Sequence, residues 1–152
     1  MPQRLLRILA TGVLVGLAGL LTMITMIMSE CRNSALSCFA TDSDMLGAAF
    51  AGAGIAGMVF YALWGRNGPV GWGLAALGAV LVTGFGAMIA VLILSITSEG
   101  SSVINDPTSL FLGPLLVSVM FAEYLALAPA WMIIMAVVHL ILRQIFQKHT
   151  KE

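Results

Sequence analysis

The stretch FAEYLALAPAW, residues 121–131, places a carboxylate, Glu123, six residues ahead of Pro129 inside the longest apolar run of the chain. A carboxylate kept from water is costly unless it takes a proton or a partner. Such a residue therefore marks a proton or cation site, or a polar contact with a neighbouring helix. The side chains able to meet it are hydroxyls. Thr22, Thr25 and Ser95 suit a Glu123 near the membrane surface, and Thr83 suits a deeper one. No basic residue lies inside an apolar run to pair with it. These five residues form the candidate intramembrane polar site.

Two further sets carry chemistry. Cys31 and Cys38 share the segment ECRNSALSCFATDSD between two apolar runs. In an oxidising compartment this spacing predicts a disulfide, a short staple worth about 2–3 kcal/mol on the chain-entropy account. A redox enzyme would need a second pair to pass electrons onward, and the chain has 2 cysteines in all. Met132, Met135 and His139 recur at i, i+3 and i+7, and soft ligands of this kind suit copper(I). Methionine is also a flexible filler of apolar packing, so the set is a weak metal candidate and no metal or cofactor is expected. No nucleophile–base set, carboxylate pair or phosphate loop can be assembled, and the chain reads as a non-enzyme.

The elements that position these residues follow from composition. Of 152 residues, 60% are hydrophobic and 9% charged, with a mean hydropathy of +1.03. Soluble domains carry about 25% charge, so most of this surface must face lipid or apolar protein. A net charge of +0 excludes the clustered basic face of a nucleic-acid binder. Four apolar runs, 8–28, 45–64, 71–97 and 110–142, each supply the roughly 20 residues needed to cross a bilayer. The expected fold is an all-α integral membrane protein in one domain, 1–152, a bundle of four transmembrane helices. The first run exceeds a signal-peptide core and no small-x-small site follows it, so it is expected to remain as a helix. The fourth run, as one helix, would be about 50 Å long at 1.5 Å per residue. It must tilt, begin with a separate re-entrant piece, or kink at Pro114, Pro129 or both.

Arg4, Arg7, Arg66, Arg143, Lys148 and Lys151 fall on one side of the four spans, and Arg32 on the other. The positive-inside rule then predicts a multi-pass protein of the bacterial inner membrane with both termini cytoplasmic. Trp64 and Trp72 flank the GRNGPVG turn as interfacial anchors would. Small residues recur at helix-packing spacing, with Gly12 and Gly16 in the first run, Gly52 and Gly57 in the second and Gly84 in the third. They allow backbones to approach closely where packing drives association. The second run carries small residues on more than one face, which points to a partner beyond its own chain. The expected role is an accessory, assembly or stabilising subunit of a larger membrane complex, with lipid and other membrane subunits or further copies of itself as partners. The alternative is a small homo-oligomeric transporter or channel that couples protons or cations through Glu123.

Overall fold

In the computed structural model the described residues are 3–30, 43–97, 107–123 and 127–148, and all their regular structure is helical. The elements are α1 (Gln3–Glu30), α2 (Ser43–Val59), a 3-10 turn (Tyr61–Leu63), α3 (Gly68–Thr97), a second 3-10 turn (Pro107–Phe111), α4 (Leu112–Glu123) and α5 (Leu127–Lys148). Three stretches are long and apolar enough to cross a membrane: Gln3–Met28, Gly68–Thr97 and Leu127–Gln147. The second run forms a helix of 17 residues, about 26 Å long, followed by the Tyr61–Leu63 turn. Cys31 and Cys38 lie outside the described residues.

The described part of the fourth run is two helices, α4 and α5, and residues 124–126 between them lie outside the described residues. Pro114 is the third residue of α4 and Pro129 the third of α5. In the first turn of a helix the missing amide proton has no intrahelical acceptor to lose, so proline begins helices at little cost. Pro114 stands in such a place, where the 3-10 turn passes into α4.

The core is built on close backbone approach. α2 lies antiparallel between α1 and α3. On the α1 side Gly12 meets Met58 and Gly54, Gly16 meets Phe50, Gly19 meets Ala49 and Ala53, and Gly57 meets Val15. On the α3 side Gly52 faces the Gly86 carbonyl and Ala90, and Phe60 packs on Phe85 with ring centroids 5.4 Å apart. The several small faces of α2 are thus consumed by two neighbours within the chain. Gly47, at the start of α2, meets nothing within 4 Å. α5 packs along α1 and touches α3, while α4 packs mainly on α3. Gly113 of α4 makes that last approach, against the Ala87 carbonyl and Val91.

One end of the molecule gathers the basic residues. Arg4 Nε donates to the Tyr61 hydroxyl at 2.9 Å, Arg7 lies 5.0 Å over the Phe146 ring, and Gln147 Nε2 donates to Asn67 Oδ1 at 2.7 Å. These contacts bring the start of α1, the α2–α3 connection and the end of α5 together, as the shared side of their arginines requires. Trp64 differs from the anchor expected of it: it is 2% exposed and enclosed by protein, whereas Trp72 stays exposed.

The packing makes a paired prediction. A Cβ on Gly52 would collide with α3 backbone, while one on Gly73 would meet nothing within 4 Å. Gly52→Val should lower stability by about 1–3 kcal/mol, the usual cost of overpacking. Gly73→Ala should leave it unchanged or raise it by up to about 1 kcal/mol through helix propensity. Thermal unfolding of the two variants in detergent checks both; equal midpoints would refute the close-approach account.

Candidate functional site

The structure does not bring the expected hydroxyl set to Glu123. Each hydroxyl is spent on its own helix: Thr22 donates to the Ala18 carbonyl at 2.8 Å, Thr25 to Thr22 at 2.7 Å, Thr83 to Ala79 at 2.8 Å and Ser95 to Val91 at 2.7 Å. Such back-bonds satisfy a hydroxyl locally where water is absent. Glu123 is the last residue of α4, is exposed, and has no hydrogen bond or ion pair among the described residues. It lies outside the three stretches long enough to span.

Its level along the molecule follows from its neighbours. Phe121, two residues earlier, stacks on Trp131 with ring centroids 5.6 Å apart. The Trp131 indole N–H donates to Thr83 Oγ1 at 3.1 Å, and Thr83 stands midway along α3. Glu123 is therefore within about two helical turns, roughly 11 Å, of the level of α3's midpoint. This is far from the ends of α3 and closer to the deep register than to the shallow one.

A groove of about 330 Å³ runs between α3, α4 and α5, lined by Val80, Thr83, Gly84, Pro114, Val117, Ser118, Phe121 and Trp131, and Glu123 lies on the face of α4 away from it. Gly84, expected as a helix-packing residue, packs on no helix among the described residues: a Cβ there would meet nothing within 4 Å. It forms part of the groove wall, beside the exposed Val80. The groove has one polar feature in its wall, the Thr83–Trp131 bond, and Ser118 is turned to its own helix through the Pro114 carbonyl at 2.8 Å. Sequence reasoning missed Trp131, Phe121 and Gly113. The signal for Trp131 was present in the opening stretch: an indole N–H deep in an apolar run needs an acceptor, and Thr83 is the hydroxyl nearest the middle of any span.

The Met132, Met135 and His139 set does not assemble. Met132 is 56% exposed, while Met135 and His139 are buried. His139 is instead a tie. Its Nδ1 accepts the Gly65 backbone N–H at 3.4 Å, and the Trp72 ring stands 4.7 Å from its own. Nδ1 as acceptor places the proton of a neutral imidazole on Nε2, which is buried without a hydrogen-bond partner among the described residues. Gly65 has φ +73, and a Cβ on it would run into Phe146, so glycine is required there by conformation and by space. Among the described residues no group of three His, Cys, Asp or Glu side chains could hold a metal ion.

No protein-family model, curated protein or solved structure matches the chain. Its chemistry therefore has to be argued from these residues.

The Thr83–Trp131 bond is open to a double-mutant cycle. Thr83→Val, Trp131→Phe and the double variant should give a coupling energy of about 0.6 kcal/mol, and no more than about 1.7, the range for hydrogen bonds between membrane helices. A coupling of zero in detergent unfolding would place the two side chains apart.

Proposed function

We propose that the protein is a non-catalytic, multi-pass subunit that assembles or stabilises a larger complex in the bacterial inner membrane. In this reading α1, α3 and α5 cross the bilayer, and α2 with the Tyr61–Leu63 turn makes the fourth crossing. The length-wise packing of α2 between α1 and α3 supports that placement. α4 is then a re-entrant piece applied to α3. The end that carries Arg4, Arg7, Arg66 and Arg143 faces the cytoplasm by the positive-inside rule.

The observation that carries the reading is the exposure of Glu123 at the end of α4, near the level of α3's middle. Exposed to lipid at that depth, a carboxylate has neither water nor a partner and is costly. Another membrane subunit that brings a lysine, arginine or amide to Glu123 removes that cost, and the groove along Val80 and Gly84 offers a seat for one of its helices. The groove takes the side chains of one helix ridge, and small residues four apart, Ala76, Val80 and Gly84, allow a close crossing. The second reading rests on the same carboxylate: a further copy of this chain covers it, and Glu123 carries protons or cations through the assembly.

Purification of the tagged protein from its native membrane in mild detergent separates them. A stoichiometric second polypeptide is expected, and Gly84→Leu, which obstructs the groove without touching the core, should reduce its recovery about tenfold or more, given an overpacking cost of about 1–3 kcal/mol. A particle made only of this chain would overturn the subunit reading and favour transport. Glu123→Gln should then abolish ion flux in proteoliposomes while leaving the particle intact.

A further inference from the structure

The end that gathers the arginines contains a second concavity, of about 360 Å³, separate from the groove. It is lined by Arg7, Tyr61, Ala62, Trp64, Gly65, Arg66, Asn67, Phe146 and Gln147. The polar groups on its wall are nearly all donors. Arg7 is held above the Phe146 ring, which fixes a guanidinium on one side. Arg66 is anchored by Nε to the Ala62 carbonyl at 3.1 Å, and among the described residues its two terminal nitrogens have no protein acceptor. The Tyr61 oxygen accepts from Arg4, so its own hydroxyl hydrogen remains to donate. The Asn67 oxygen accepts from Gln147, so its NH2 group remains as well. No carboxylate lines the cleft among the described residues.

Two guanidiniums with a phenol and an amide donor form a receptor for phosphate oxygens, since charge-assisted and forked bonds from arginine match that geometry. We propose that this cleft binds the phosphate of an anionic phospholipid headgroup. Three features select a lipid over a soluble phosphate. The cleft lies where the arginine-bearing ends of α1 and α5 meet the α2–α3 connection, which is headgroup level for spans of this length. Its volume exceeds what a bare phosphate needs and leaves room for glycerol. Leu6, next to Arg7 in α1, and Val70, three residues after Asn67, are exposed and apolar, and suit acyl chains. Trp64 and Phe146 close the inner wall, so the phosphate is met by donors and the glycerol by rings. The site is independent of Glu123 and of the α3–α4–α5 groove, and its failure leaves the subunit reading untouched.

The test is native mass spectrometry of the detergent-purified protein titrated with phosphatidylglycerol or with phosphatidylcholine of the same acyl chains. Phosphatidylglycerol should be retained preferentially. Arg66→Gln, at an exposed position outside the core, should weaken it about fivefold, and Arg7→Gln with Arg66→Gln about 25-fold, at about fivefold per arginine near a charged surface. Millimolar inorganic phosphate should not displace it. Equal retention of the two lipids would overturn the proposal, as would affinity unchanged in the Arg66→Gln protein. Displacement by inorganic phosphate would reassign the cleft to a soluble ligand and sink the lipid assignment.

Discussion

The structure depends on how near the α2 backbone comes to two other backbones at once. In lipid there is no hydrophobic gain from helix association, so contact must come from packing, and packing improves as helices approach. Gly52 and Gly86 on one side, and Gly12, Gly16 and Gly54 on the other, remove the side chains that would hold the helices apart. α2 also offers little to water. No charged residue follows Asp44 in it, and its one route to stability is to be covered on both flanks. The positions of α1 and α3, and through them α5 and α4, follow from that.

Polar groups are distributed to match. In the body of the helices hydroxyls return to their own carbonyls, which leaves few polar demands between helices. Bonds between elements are concentrated where the chain turns. The α2–α3 connection needs a left-handed residue at Gly65 and another at Gly68, directly before Pro69 begins α3 in the position that suits it. His139, fully buried on α5, takes the Gly65 amide. One imidazole thus fixes both the rotation of α5 and the shape of a turn 74 residues away.

Much of this was legible in the sequence. The absence of charge over long runs marked the helices, and the side on which the arginines fall marked the end where Arg4, Arg7 and Arg66 are found together. Small residues four apart identified Gly12, Gly16, Gly52 and Gly57 as packing residues, because a backbone approach leaves a one-dimensional trace. Which helix each would meet was not legible. The prolines were ambiguous because the same residue breaks a helix interior and begins a helix. The fold places Pro114 at the start of α4. Glu123 was identifiable as the unusual residue, but its level depended on how the run divided. The Met132, Met135 and His139 spacing was real without being a site, since α5 turns Met132 outward and buries His139.

The arrangement of ties has a mechanical consequence. Arg4–Tyr61, His139–Gly65 and Gln147–Asn67 fasten α1, α5 and the α2–α3 turn at one end. Away from that end α5 is tied to the middle of α3 through Trp131 and Thr83, and α4 rests mainly on α3 and meets α5 through Phe121 and Trp131. The molecule is built like a pair of tongs with its pivot at the arginines. Prising α5 from α3 beyond the pivot breaks a single polar contact, whereas the same movement at the pivot would tear several and unseat a buried ring. The jaws, not the pivot, are where this protein can give way to something inserted between them.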